Sequence, residues 1–320
     1  MVRSAGGIAL QPLHGPRTQV KLYYADHFVL PLPEGHRFPM EKYSRLRQTL
    51  MDSGVFAPDD FCIPDAVDDA TLQHAHTAEY IRNVVAGTLP AAEQRRIGFP
   101  WSPEMVERSR RSAGATLAAC RSALIDGCSA NLAGGTHHAG KDYGSGFCVF
   151  NDAAVATLTL RAEGRVRRVA IIDCDVHQGD GTAHILGRDP DTYTLSMHGE
   201  KNFPFRKMQS RHDIDLPDGA GDAEYLPLLD DALHEIFHHF RPQLAIYLAG
   251  ADPFEGDRLG RLSLSREGLA QRDEMVLAAC DRHQVPVAIA MAGGYGHDIA
   301  DTVAIHATTL LTAARRFKRS

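Results

Sequence analysis

The sequence has no apolar run approaching the ~18 residues needed to cross a bilayer, so no membrane span is expected. It lacks any C-x-x-C pair. Its six cysteines (Cys62, Cys120, Cys128, Cys148, Cys174 and Cys280) sit mostly in apolar context and read as reduced thiols of a cytoplasmic protein. It lacks a basic excess: 34 Lys and Arg stand against 40 Asp and Glu, a net charge of −6, so no nucleic-acid surface is implied. Met1 to Arg17 has no apolar core of the roughly 7–15 residues a secretory signal needs, and residues 1–18 read as a loose arm. There is no internal repeat and no low-complexity segment, and tryptophan occurs once, at Trp101. That residue lies in the stiff Gly98–Pro103 loop, either packing there or rimming a pocket.

What is present is a regular alternation of strand and helix signals. Val20 to Tyr24, Ser129 to Ala133, Val169 to Ile172, Thr192 to Met197, Leu244 to Leu248 and Val285 to Met291 read as strands. Helices are expected over Met40 to Met51, from Thr77, from Ser102-Pro103 to about Ile125, and over Asp152 to Ala162, Gly221 to Phe240, Glu267 to Arg282 and Asp298 to Phe317. His234, His238 and His239 fall at helical spacing and read as a solvated helix side. The alternation predicts an α/β fold, a parallel sheet with helices on both faces, in one domain over residues 19–320.

Such sheets bind ligands beyond the carboxyl ends of their strands. Five strand ends here run into residues a strand does not need: His137-His138, Asp173 to His177, Ser196 with His198, Asp252, and Tyr295. The densest is Asp173-Cys-Asp-Val-His-Gln-Gly-Asp-Gly181. Carboxylates and an imidazole converging at a buried strand end are costly without a cation. Asp175, His177 and Asp252 form the best ligand set for a divalent metal with an open position for water, Zn(2+) first and Fe(2+) as a possible occupant. The twin histidines supply base candidates, and the Tyr295 phenol can donate to a developing oxyanion, a combination that describes amide hydrolysis.

The segments Gly134-Gly-Thr-His-His-Ala139, Gly144-Ser-Gly-Phe-Cys-Val-Phe-Asn-Asp152, Asp173 to Gly181 and Gly293-Gly-Tyr295 resemble the zinc-dependent histone deacetylase family. The likeness runs from about Lys21 to the last helix. Ala249 to Ser265, and the single His177 followed by Gln178, are more like its class IV branch. The resemblance implies the arginase–deacetylase fold, with zinc on Asp175, His177 and Asp252. It implies His138 as general base and then acid, and His137 as its electrostatic and proton-transfer partner. Asp173 and Asp180 stand behind the two histidines, and Tyr295 polarises the substrate carbonyl. An acyl-lysine channel is expected past Gly146, Phe147 and Gly294, its opposite wall coming from Phe203 or Phe205. A structural K(+) is expected near Asp173, Asp175, His177, Ser196 and Met197. Thr136, Gln178 and Ala292 depart from the pattern of other branches without removing a ligand, and the loop acid with which class I enzymes hold the substrate backbone has no evident counterpart.

The implied activity is zinc-dependent hydrolysis of an N-acyl-lysine amide on a protein or of a small acylated amine, open to hydroxamate inhibitors. Three alternatives stay beside it: an acetylpolyamine-type amidohydrolase of the same fold, a two-manganese ureohydrolase, and a non-catalytic acyl-lysine reader. The ureohydrolase needs a second acidic cluster where the chain has only Asp252. The reader predicts loss of Tyr295 or the histidine pair, and all three residues are present.

Overall fold

The computed structural model describes residues 19–318; the expected arm at 1–18 lies outside them. In chain order the elements are β1 (Lys21–Tyr23), α1 (Glu41–Asp52), β2 (Phe61–Cys62), α2 (Asp69–Leu72), α3 (Ala78–Ala86), α4 (Ala91–Ile97), α5 (Pro103–Asp126), β3 (Cys128–Asn131), α6 (Asp152–Ala162), β4 (Val169–Asp173), α7 (Asp180–Leu186), β5 (Thr192–Gly199), β6 (His212–Leu216), α8 (Asp222–His234), β7 (Leu244–Leu248), α9 (Arg266–Arg282), β8 (Val287–Ala290) and α10 (Ile299–Phe317). The strands form one eight-stranded sheet in the order β2-β1-β3-β8-β7-β4-β5-β6, and every pairing is parallel. This is the arginase–deacetylase α/β architecture.

Both faces of the sheet are covered, so successive residues of the central strands are buried on opposite sides. Ala170 and Ile172 of β4 pack with Leu229 of α8, Val276 of α9 and Leu310 of α10. Val169 and Ile171 pack on the other face with Tyr80 of α3, Leu117 of α5 and Val155 of α6. A fully buried aliphatic side chain of this kind stabilises by ~1.5–3 kcal/mol, which is why β4 is a continuous apolar run. The long helix α5 starts where its residues dictate: the Ser102 hydroxyl accepts the Met105 N–H, Pro103 needs no donor, and Gly127 closes the C-terminus in the left-handed region.

The helix expected over Gly221 to Phe240 is interrupted. It is α-helical to His234 and then widens to a π-helical turn, Glu235–Phe240. That turn buries Ile236, Phe237 and Phe240 together and leaves His234, His238 and His239 exposed. The edge strand β6 was not anticipated: His-Asp-Ile-Asp-Leu carries three charged or titratable residues, the pattern of an edge facing water on one side.

Register sets the site. Asn131 of β3 pairs Ala290 of β8, Ala290 pairs Leu248 of β7, Leu248 pairs Asp173 of β4, and Asp173 pairs Ser196 of β5. These positions share one level, and the polar residues follow within a few positions of each. The chain passes from β3 to β4 across the gap that β7 and β8 later fill, so the loops meet where strand order reverses.

Candidate active site

Behind the strand ends lies a cavity of about 810 Å³ whose lining includes His137, His138, Gly146, Phe147, Asp175, His177, Phe203, Phe205, Gly293 and Tyr295. Asp252 is fully buried beneath it. Ligand atoms of Asp175, His177 and Asp252 all lie within 4.8 Å of one another. His177 Nδ1 is 3.0 Å from Asp175 Oδ1 and 3.3 Å from Asp252 Oδ2, yet the latter oxygen has no aligned hydrogen bond. Burial, then the charge of Asp175, pushes the Asp252 carboxyl up. Burial opposes ionisation of Asp175 as well, but His137 and His177 outweigh it and hold that carboxyl low. Two buried carboxylates this close ionise together only where positive charge compensates them. A side chain at Gly293 would place its Cβ 1.9 Å from Asp252 Oδ2 and 2.5 Å from Asp175 Oδ2, so only glycine leaves the ligand atoms free; its N–H also donates to Asp175 Oδ2 at 2.7 Å. An orphaned carboxylate oxygen, a compact O/N/O donor set and a space no Cβ can enter all fit a small divalent metal.

Each histidine of the pair is backed by a carboxylate. His137 Nδ1–H donates to Asp173 Oδ2 at 2.7 Å, and His138 Nδ1–H to Asp180 Oδ1 at 2.6 Å. Ionised carboxylates only accept, so Nδ1 carries a proton in both rings and Nε2 is the nitrogen at which their protonation differs. Their surroundings push the two rings apart. Burial would lower His137, but Asp173 and Asp175 overcome it and hold it at about 9. Burial and then the charge of His137 push His138 down to about 4, with Asp180 opposing. These surroundings favour the neutral form of the His138 ring and the charged form of the His137 ring.

The loop bearing these rings is held from below. Asp152, at the start of α6, accepts the Gly135 and Thr136 N–H groups at 2.9 and 2.8 Å, and Asn151 caps α6 and donates to Ala139 O. Gly135 (φ +71°) sits so close to Ala292 that a Cβ would lie 2.5 Å from its Cα. Thr136 is thus structural: its hydroxyl also reaches Phe150 O and Asp152 Oδ1.

Tyr295 is held by its backbone, which donates to Asp257 Oδ2 at 2.6 Å, while Arg258 Nε donates to the Tyr295 carbonyl at 2.9 Å. Its phenol is buried, which, with Asp175 and Asp252 nearby, pushes its ionisation well up; it stays a proton donor. Lys42 of α1 is buried beside it, 5.1 Å from the ring centroid, with Nζ donating to the carbonyls of Ala292 and Gly294. Phe147 lies opposite at φ +65°, strained for an aromatic residue, among Phe38, Phe99 and Tyr295.

The sequence-selected residues are placed as follows. Phe203 and Phe205 both line the cavity: Phe203 stands edge-on to His138 at 4.9 Å, and Phe205 is 88% exposed at the mouth. Gly294 does not line the cavity; its neighbours are Thr302 and Ala251, and Gly293 faces the space instead. Ser196 and Met197 lie on β5 beside Asp173, the Ser196 hydroxyl within 3.0 Å of His198 Nδ1. Trp101 packs: its Nε1–H donates to Val84 O and its ring lies against Gly87, away from the cavity. Lys42, Asp257 and Arg272 were not singled out from sequence. Lys42 falls on the polar side of the α1 pattern, and Arg272-Asp273 looks like a surface pair in the middle of α9.

The histone deacetylase domain matches residues 36–311. An uncharacterized protein of Picosynechococcus sp. is 43% identical over 92% of this chain and 97% of its own length. Histone deacetylase 2 of Arabidopsis thaliana is 28% identical over 90% of this chain and 78% of its own. A solved structure of an HDAC homolog complexed with SAHA has the same fold, with a TM-score of 0.80, 23% identity, and coverage of 93% of this chain and 85% of that one. With a domain match spanning most of its length, the chain belongs to the histone deacetylase family.

Proposed function

We propose that the protein hydrolyses the amide of an N-acyl-lysine, or of a similarly acylated small amine, in a single catalytic domain that depends on Zn(2+) or, in its place, Fe(2+). One observation carries this reading: two carboxylate-backed histidines, a buried phenol and a three-residue metal set meet at one cavity. Asp175, His177 and Asp252 would hold the divalent cation, which would supply Lewis acidity when bound. His138 Nε2 takes the proton of that water and later returns it to the leaving amine. Asp180 holds the ring in the required tautomer and stabilises the imidazolium that forms. His137, already held up by Asp173, keeps positive charge beside the developing oxyanion. Tyr295 donates its hydroxyl proton as a hydrogen bond to that oxyanion. Phe147 and Phe203 exclude water around the acyl-bearing chain.

The Ala249 to Ser265 stretch favours the class IV branch, and Asp173, Asp175, His177, Ser196 and Met197, partly through backbone carbonyls, are the residues proposed to hold a K(+). A linear hydroxamate is the matching inhibitor. The testing experiment is turnover of a fluorogenic acetyl-lysine peptide by metal-loaded protein, with Tyr295→Phe as control. Release of amine by the parent protein and its loss in the variant support the reading; tight binding of the peptide without release favours an acyl-lysine reader instead.

A further inference from the structure

The mouth of the cavity carries charge of one sign. Arg37, Arg95, Arg96, Lys201, Arg258 and Arg261 line it, all exposed, whereas the one carboxylate among the described lining residues is Asp175 at its floor. The chain as a whole has net charge −6, so this positive ring runs against its average. Few of these cations are neutralised locally. Asp218 serves both Arg261, at 3.0 Å, and Lys201, at 3.8 Å. Arg96 donates to the Gly144 carbonyl and lies over the Tyr143 ring, and Arg258 donates to the Tyr295 carbonyl, so both are anchored by neutral groups. Arg37 and Arg95 make no ion pair among the described residues, and neither Glu34 nor Glu93, their nearest acids in sequence, lines the cavity.

An acyl-lysine inserted past Phe147 and Phe203 leaves its α-carbon and neighbours at this ring. We infer that the substrate carries carboxylates there: an acylated lysine flanked by acidic groups, rather than one in a basic segment or on a polyamine. This rests on the hydrolase reading above and adds the substrate's charge to it. The carboxylates can come from Asp and Glu neighbours in a peptide or from the α-carboxylate of free acyl-lysine. Each exposed ion pair is worth only ~0.2–1 kcal/mol, about 1.5–5-fold, so two or three together give about tenfold, expressed mainly in KM and in association rate.

The test compares kcat/KM at low ionic strength for three acetyl-lysine peptides with Asp/Glu, Gly/Ala and Lys/Arg flanks, alongside free Nε-acetyl-lysine and its carboxamide. The acidic peptide is expected to exceed the neutral one about tenfold and the basic one by more, with the gaps closing as salt rises. In the Arg37→Glu/Arg95→Glu variant the acidic-to-neutral ratio should fall toward one. A carboxamide as good as the free acid, together with a preference for acidic peptides, assigns the carboxylates to flanking residues; the reverse assigns them to the free amino acid. Equal rates for all three peptides, or a preference for basic flanks, overturn the inference. Loss of the hydrolase reading is recognised separately, as no turnover of any peptide; anisotropy of the same labelled peptides then still ranks their binding by charge and decides the question of the ring.

Discussion

Arg272→Met tests how the metal-bearing loops are held in place. The guanidinium is fully buried. Its Nε and Nη2 donate to Asp273 Oδ1 at 3.0 and 2.8 Å, and Nη1 donates to Gly250 O at 2.6 Å and Cys174 O at 3.3 Å. Those carbonyls immediately precede the segments carrying Asp252 and Asp175. Asp273 is fixed in turn by the Tyr247 and Thr309 hydroxyls, both at 2.5 Å. Methionine fills similar volume without the charge, leaving a buried carboxylate unpaired, at a cost of ~3–5 kcal/mol. At ~2 °C per kcal/mol for a chain of this length, the melting temperature should drop by roughly 6–10 °C. Loosened loops should also weaken metal affinity about 10–100-fold, the usual effect of losing a group that orients a ligand. The assays are thermal unfolding of metal-free protein and Zn(2+) competition against a chromogenic chelator. The Arg272→Met/Asp273→Leu double variant should be less destabilised than the sum of its parts. An unchanged melting temperature with unchanged metal affinity would show that Arg272 does not hold the metal-bearing loops.

Three further outcomes are expected. Tyr295→Phe should retain metal and lose ~10²–10³ in kcat, since what disappears is one donor to an oxyanion; normal turnover would make the phenol structural only. Asp252→Ala should lose bound zinc and activity together, which elemental analysis checks directly; unchanged zinc would reassign the ligand. Stability should fall as pH drops from about 6.5 toward 4, because burial holds His76 down to about 4, where its Nε2 accepts the Asn151 N–H. The unfolded chain binds that proton first, so the folded state loses ground throughout this window, and the pH slope of the melting temperature should flatten in His76→Gln.

The strands that carry the site were legible because burial on both faces forces continuous apolar runs, and because residues such as Asp173 and Asp252 follow those runs abruptly. Register then does what no local pattern reveals, bringing Asn131, Ala290, Leu248, Asp173 and Ser196 to one level. What escaped the sequence were groups whose partners are distant backbone atoms. Lys42 and Arg272 read as ordinary helix-surface cations, yet each is buried against carbonyls some 250 and 22 to 98 positions away. The short edge β6 and the π-helical turn of Glu235–Phe240 escaped for another reason, since packing against neighbours rather than local preference selects them. The channel wall was open between Phe203 and Phe205 because a two-residue spacing does not say which ring faces inward; the fold puts one beside His138 and the other at the mouth.

A single metal on Asp175, His177 and Asp252 is proposed to make this cavity an amide hydrolase. The most direct measurement is a titration of metal-stripped protein with Zn(2+), following bound metal and acetyl-lysine peptide turnover in the same samples. No turnover is expected without metal, and with it a rise that parallels binding and levels off at about one equivalent per chain. Turnover that persists in the stripped protein, or that appears only as a second equivalent binds, would contradict the single-metal proposal.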